Sequence, residues 1–89
     1  MNINLRFFAS VREALGTSSE TLSVPAEVKT VGDLRAHLAA RGGVWEQALA
    51  TGAEGGRALR MACNQVMCGP DATLVEGCEV AFFPPVTGG

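Results

Sequence analysis

One helical segment lies between two pairs of segments in which apolar and polar residues alternate, and this order restricts the fold more than any other feature. Alternation predicts β-strands that bury one face. It occurs at residues 2–9 and 20–24 before the helical segment, and at residues 59–64 and 79–83 after it. Four strands and one main helix predict a two-layer α+β domain, in which the helix packs on one face of a mixed sheet.

The helical segment has a recognisable start. Thr30 is the predicted N-cap, and Asp33 completes a variant of the capping box. Apolar residues then recur at helical spacing until a pair of glycines ends the pattern; they are Val31, Leu34 and Leu38. Residues 11–16 and 44–49 predict shorter helical turns, and the glycine-rich residues 50–58 predict a surface loop.

Size and charge exclude several classes of partner. A chain of 89 residues is the size of one domain. Its net charge of −2 and the lack of clustered Lys and Arg argue against nucleic-acid binding. No leader pattern opens the sequence, and no apolar run has the length of a membrane span. We expect a cytoplasmic protein that binds neither nucleic acid nor a membrane.

The cysteines and the single histidine give no catalytic or metal-binding pattern. Cys63, Cys68 and Cys78 are an odd number, which favours free thiols in a reducing compartment. Cys63 and Cys68 have the spacing that begins a plant-type iron–sulfur site, but Asp71 stands where the next cysteine is required. No nucleophile motif accompanies His37, so we expect a structural histidine and no metal site.

Two phenylalanines fall on the face of the sheet that alternation assigns to solvent. Phe8 and Phe83 are each out of phase with the buried set of their strand. If the first and last strands are neighbours, the two rings form an exposed aromatic patch near Met67, and we expect a partner surface there rather than a covering loop. Three arginines form a candidate basic patch on the same outer face, although such groups are more often solvated; they are Arg6, Arg12 and Arg60.

The last residues, 84–89, read PPVTGG and predict an extended tail that follows a domain of residues 1–83. Proline has no amide hydrogen for a sheet ladder, so the last strand is expected to end at Phe83. The six steps from there to the last residue reach roughly 20 Å when extended. Val86 and Thr87 then offer side chains to a deep pocket in a partner.

The two C-terminal glycines leave only backbone atoms at the end of the chain. Gly88 and Gly89 have no side chain, so this segment can pass through a channel that excludes every other residue. The α-carboxylate of Gly89 is then the one group with chemistry to offer. It is ionised at neutral pH and is a poor electrophile until it is activated, for example by transfer to ATP as an acyl-adenylate.

Four stretches resemble a known family: LRFFASVREALG at residues 5–16, VGDLRAHLAAR at 31–41, CNQ at 63–65 and EVAFFPPVTGG at 79–89. On these stretches, which span almost the whole chain, the sequence resembles the small, sulfur-carrier subunits of molybdopterin synthase. That family has a ubiquitin-like β-grasp fold with a mixed sheet, one main helix and a flexible C-terminal diglycine tail. The resemblance implies a carrier that is not an enzyme on its own.

The resemblance also implies a cycle and its partners. An E1-like enzyme uses ATP to adenylate Gly89, a persulfide donor converts the adenylate to a thiocarboxylate, and no cofactor is bound stably. The tail then enters the large catalytic subunit, which passes the sulfur to cyclic pyranopterin monophosphate in molybdenum cofactor biosynthesis. Two large and two small subunits are expected in a heterotetramer. Gly88 accompanies Gly89 at the reacting end, and the implied partner-binding residues are Phe8, Arg12, Met67, Phe83, Pro84, Pro85, Val86 and Thr87.

Three other functions share some of these features. A sulfur carrier for thiamine, cysteine or tRNA thiolation would have the same fold and diglycine. A ubiquitin-like modifier would use the same adenylate but finish with an isopeptide bond to a lysine. A plain binding module would use the aromatic patch alone, and its tail would be inert.

Overall fold

The computed structural model describes residues 1–49 and 59–84. The predicted loop at residues 50–58 and the tail at residues 85–89 lie outside the described residues, so the division into a domain and a tail stays a prediction. In chain order the elements are β1 (Asn2–Phe7), α1 (Ala9–Leu15), β2 (Ser19–Ser23), α2 (Val31–Ala39), α3 (Val44–Leu49), β3 (Arg60–Cys63), β4 (Val66–Cys68) and β5 (Glu79–Phe83).

The strands form one mixed sheet in the order β2-β1-β5-β3-β4. β1 and β5 are parallel neighbours, and the other three pairings are antiparallel. The prediction of a mixed sheet is confirmed. The first and last strands lie side by side, which is the condition that the aromatic patch required.

The core lies between one face of the sheet and the helices. In β1 every second residue is at most 1% exposed, as its alternation predicts. Phe7 stacks on Phe82 at a centroid distance of 6.1 Å and meets Trp45 of α3 edge-on at 5.7 Å. Each such side chain contributes about 1.5–3 kcal/mol when fully buried. The core residues of α2 are those predicted: Val31, Leu34 and Leu38.

The start of α2 is satisfied by its own cap and by a distant segment. Thr30 Oγ1 accepts from the Asp33 amide at 3.1 Å, and the Asp33 carboxylate accepts from the Thr30 amide at 3.2 Å. This capping box confirms the prediction. The Gly32 amide donates to the Pro70 carbonyl at 2.9 Å, and the Val31 amide donates to the Ala72 carbonyl, also at 2.9 Å. The segment at 70–72 therefore supplies acceptors to helix amides that have no partner within α2.

The sequence-based expectation of four strands is wrong, because β4 forms a fifth. Asn64 and Gln65 connect β3 to β4 as a two-residue loop with φ values of 51° and 69°. Two positive φ values describe the type I′ turn of a tight hairpin. β4 has only three residues, Val66 to Cys68, and all three are apolar, so no alternation marks it in the sequence.

The first strand is also shorter than predicted. β1 ends at Phe7, and α1 begins at Ala9, where the predicted strand over residues 2–9 still continued. Ala9 has a φ of 51°. This left-handed backbone turns the chain out of the sheet, and the alternation of side chains does not encode such a turn.

Candidate functional site

The face of the sheet opposite the core carries the residues that the sequence singled out. Residues directly across neighbouring strands share a face. Arg6 lies opposite Ala81, Ala81 opposite Ala62, and Ala62 opposite Met67. This row crosses four strands.

The two predicted aromatic residues meet on this outer face. Phe8 and Phe83 have ring centroids 6.4 Å apart with an interplanar angle of 83°, an edge-to-face arrangement. The Phe8 backbone remains extended, and its amide donates to the Phe82 carbonyl at 3.2 Å. That bond continues the ladder between β1 and β5 and holds the Phe8 ring beside Phe83. Phe8 is 41% exposed and Phe83 is half-buried.

Two alanines form a low floor between the aromatic pair and Met67. Ala62 and Ala81 face outward as alternation predicts, but each is only 7% exposed. They do not belong to the core cluster, which lies on the opposite face of the sheet. Met67, which lies beyond this floor on β4, is 56% exposed. We call Phe8, Phe83, Met67, Ala62 and Ala81 the outer-face patch.

The predicted basic patch is only partly assembled on the sheet. Arg6 lies with its guanidinium carbon 5.7 Å from the Phe8 ring centroid, and Arg60 lies opposite Phe83. Arg12 belongs to α1 rather than to a strand, so its place in a basic patch on the outer face of the sheet stays a prediction. Its amide donates to the Phe8 carbonyl at 3.3 Å, one helical turn from the patch, and its side chain is exposed.

The tail begins beside the patch. β5 ends at Phe83, as the following prolines predict, and Pro84 is half-buried. The other predicted tail residues lie outside the described residues; they are Pro85, Val86, Thr87, Gly88 and Gly89. The roles assigned to the tail and to the patch stay predictions.

Cys63 and Cys78 lie near the start of β5, away from the tail, whereas Cys68 pairs with Met61 in the row of Phe82, near the end of β5. All three thiols are free; Cys78 is buried, and Cys63 and Cys68 are half-buried. Burial raises the pKa of the Cys63 thiol, and the adjacent Cys78 thiol raises it further. Burial also raises the pKa of Cys68. A raised pKa leaves little thiolate at neutral pH, so these thiols are poor nucleophiles.

Two further findings concern only the part of the chain that the structure describes. No group of three or more His, Cys, Asp or Glu side chains there is placed to hold a metal ion. None of the helices in the same residues combines the length and the apolar character needed to cross a bilayer.

Sequence reasoning missed the alanine floor and the strand that carries Met67. The floor depends on the pairing of β3 with β5 and on their neighbours β4 and β1, which no local pattern identifies. The alternation of β3 does place Ala62 on the outer face, and this is the signal from which the floor could have been found.

Comparisons with known proteins agree with this geometry. Residues 5–89 match the ThiS family. The chain is 46% identical over 87 residues to the molybdopterin synthase sulfur carrier subunit of Escherichia coli strain K12, and the alignment covers 98% of this chain and 99% of that relative.

Solved structures show the same fold. SAMP1 from Haloferax volcanii has a TM-score of 0.74 at 26% identity, with complete coverage of both chains. A chain from the complex of subunits 1 and 2 of the molybdopterin-converting factor of Helicobacter pylori 26695 has a TM-score of 0.65 at 20% identity, also with complete coverage. The predicted ubiquitin-like β-grasp fold is confirmed.

Proposed function

Because the chain belongs to the ThiS family, we propose that it is the sulfur-carrier subunit of a molybdopterin synthase. One observation carries this proposal: the 46% identity to a protein of that name over almost the full length of both chains. The outer-face patch beside the start of the tail supports it, because a carrier must dock before it can deliver its terminal group.

The proposed chemistry takes place at the carboxylate of Gly89. An E1-like enzyme directs a carboxylate oxygen to the α-phosphorus of ATP, so that an acyl-adenylate forms and pyrophosphate leaves. A persulfide sulfur then attacks the acyl carbon and displaces AMP. A thiol cleaves the resulting acyl disulfide, is itself oxidised to a disulfide, and leaves the thiocarboxylate on Gly89.

The domain contributes position rather than reacting groups. Docking through Phe8 and Phe83 would place Pro84 at the edge of the partner. The extended tail then reaches up to roughly 20 Å into that partner. In the large subunit the thiocarboxylate gives its sulfur to cyclic pyranopterin monophosphate, and a carboxylate is regenerated with an oxygen from water. The cysteines of this chain take no part in the proposed cycle, because the raised pKa values of Cys63 and Cys68 make their thiols poor nucleophiles and Cys78 is buried.

The partners follow from this cycle. The large catalytic subunit is supported by the Helicobacter pylori structure, in which a protein of the same fold is present with its subunit 2. The E1-like enzyme and the persulfide donor are required by the chemistry, and we propose two large and two small subunits in the assembly. Three free cysteines support a location in the reducing cytoplasm.

The first experiment measures the intact mass of the chain after incubation with ATP, the E1-like enzyme of the same organism and a persulfide donor. We expect a gain equal to the replacement of one oxygen atom by one sulfur atom. A variant that lacks Gly89 is the control and should show no gain. If the activating system charges a known carrier protein in a parallel reaction but leaves this chain unchanged, the proposal fails.

A second experiment identifies the acceptor of the sulfur. The charged chain is mixed with the large subunit and cyclic pyranopterin monophosphate, and molybdopterin formation is followed. Conversion supports the proposal. Transfer of sulfur only to a thiamine, cysteine or tRNA precursor would assign the carrier to another pathway, and isopeptide conjugates that survive reducing denaturation would identify a modifier.

A further inference from the structure

Two arginines frame the aromatic pair of the outer-face patch. Arg6 precedes Phe8 by two residues in an extended backbone and therefore shares its face of the sheet. Arg60 lies directly opposite Phe83 in the register between β3 and β5. Both arginine side chains are exposed. A stable interface buries about 800 Å² on each partner, so a protein that covers the two rings must also approach both guanidinium groups.

Arg6 has only a loose ionic partner within the chain. Among the described residues, Glu79 is the one carboxylate within salt-bridge distance, with a single nitrogen–oxygen separation of 3.9 Å. Arg41, by contrast, is closely paired, because it donates two hydrogen bonds of 3.0 and 2.6 Å to the Glu20 carboxylate. The Arg6 side chain is still 48% exposed, which leaves its donors accessible to a second protein.

Arg60 gives the same face a second positive charge. Within residues 1–49 and 59–84, no carboxylate lies within 4.0 Å of its guanidinium. On this face Arg6 and Arg60 are two positive charges against the one negative charge of Glu79, whereas the whole chain has a net charge of −2. Two arginines are too few for a phosphate-backbone footprint, which needs a broader basic surface. Their arrangement around an apolar centre fits a protein partner.

The chemistry of that partner follows from the cost of removing water from arginine. A guanidinium that is buried by docking needs acceptors from the partner, because an uncompensated buried charge is unfavourable. A carboxylate fits the planar guanidinium with two parallel hydrogen bonds. We propose that the surface of the large subunit that covers the outer-face patch carries carboxylate side chains that pair with Arg6 and Arg60. This inference rests on the proposed function, which supplies the partner.

The test measures the affinity of the chain for the large synthase subunit of the same organism by isothermal titration calorimetry. Arg6→Glu and Arg60→Glu are compared with the wild type and with Lys29→Glu. Lys29 is exposed and precedes α2 on the helical side of the sheet, so its reversal makes the same change in net charge away from the patch. Neutral Arg6→Met and Arg60→Met variants remove the positive charge without adding a negative one. Urea unfolding of every variant checks that weaker binding does not come from misfolding.

Each arginine reversal should weaken binding about tenfold or more at moderate salt, as close charge pairs in other interfaces do. Lys29→Glu should stay within about twofold of the wild type, and the methionine variants should lie between the two. The difference between wild type and the arginine reversals should shrink when ionic strength rises from about 0.15 M to about 1 M, where the Debye length falls to about 3 Å.

A cross-link reads out the carboxylate directly. In Arg6→Lys, a carbodiimide can join the new amine to a contacting carboxylate as an amide, and the carbodiimide takes up the lost water to become a urea. We expect a cross-linked peptide that connects position 6 to an Asp or Glu of the large subunit. Arg6→Met should give none. A cross-link found only within the chain, to Glu79, would contradict the inference.

Phe8→Ser distinguishes the failure of this inference from the failure of the proposed function. Suppose that the wild type binds, that Phe8→Ser binds weakly, and that both arginine reversals bind as tightly as the wild type. The inference of carboxylates on the partner surface then fails, and the proposed function stands. If the wild type does not bind a correctly folded large subunit, the proposed function and this inference fail together.

Discussion

At the scale of single residues, an ion pair ties the end of α2 to β2. Arg41 donates to both carboxylate oxygens of Glu20, and its guanidinium carbon lies 4.3 Å from the Trp45 ring centroid. The hydrogen bonds from Arg41 lower the pKa of Glu20 against the opposing effect of burial. This arrangement orders the chain where it leaves the helix for α3.

The pH dependence of stability follows from the lowered pKa of Glu20. The stabilisation is complete above the ordinary glutamate pKa of roughly 4.3 and is lost as the pH falls through the lower value of the folded state. We expect Glu20→Gln to reduce the free energy of unfolding at pH 7 by about 0.2–1 kcal/mol, the range of partly exposed ion pairs. The difference from the wild type should fade once the pH is below both pKa values.

Urea unfolding followed by tryptophan fluorescence measures this effect, because Trp45 is the single tryptophan of the chain. Exposed Glu27 provides the control, and Glu27→Gln should leave the free energy of unfolding nearly unchanged at pH 7 and at acidic pH. A constant difference between Glu20→Gln and the wild type from neutral to strongly acidic pH would show that the charge of Glu20 is not responsible.

At the scale of elements, the contact between α2 and the segment at 70–72 demands a glycine. A Cβ atom added at Gly32 would lie 3.0 Å from Pro70 Cβ and 3.1 Å from the Pro70 carbonyl oxygen. That oxygen accepts the Gly32 amide hydrogen, so the segment cannot retreat without breaking the bond. Local propensity and tertiary packing therefore oppose each other at this position.

Gly32→Ala tests which of the two prevails. Alanine is favoured over glycine in a helix by about 1 kcal/mol, whereas overpacking costs about 1–3 kcal/mol. The broken hydrogen bond adds to that cost, and we expect a net loss of about 1 kcal/mol or more in urea unfolding.

The matched control is Gly69→Ala, where an added Cβ meets nothing within 4 Å. This substitution should be neutral or slightly stabilising, because it only restricts the unfolded chain. A Gly32→Ala variant as stable as the wild type would mean that Pro70 can move aside at little cost in free energy.

At the scale of the whole molecule, we predict that folding and sulfur transfer depend on different parts of the chain. Among residues 1–49 and 59–84, the core cluster is built from residues between Ile3 and Phe82. Removal of residues 85–89 should therefore change the free energy of unfolding by less than about 0.5 kcal/mol, the usual effect of a change away from core and caps. The same truncation should abolish charging with sulfur and weaken binding to the large subunit.

Removal of Gly88 and Gly89 alone separates these two effects. Because Pro84 to Thr87 remain, we expect this variant to keep most of its affinity for the large subunit while it loses all charging. Intact mass and calorimetry measure the two properties independently. A truncation after Pro84 that destabilises the domain by more than about 1 kcal/mol would instead give the tail a structural role.

Local patterns were enough to predict the elements that bury one face. The alternation in β1 identified its buried set, and Thr30 with Asp33 marked the start of α2 correctly. Both patterns depend only on residues a few positions apart, and the chemistry of the cap acts over the same range. The composition of the last residues likewise predicted where β5 ends, since proline cannot continue a ladder.

What the sequence by itself determined, then, was the buried face of β1 and of α2 and the outward direction of Phe8 and Phe83. Only the tertiary structure decided that these rings touch, that Ala62 and Ala81 form a floor beside them, and that β4 carries Met67 onto the same face. The reason is physical: these contacts depend on which strands are neighbours. That choice comes from burying the whole core at once rather than from any local period.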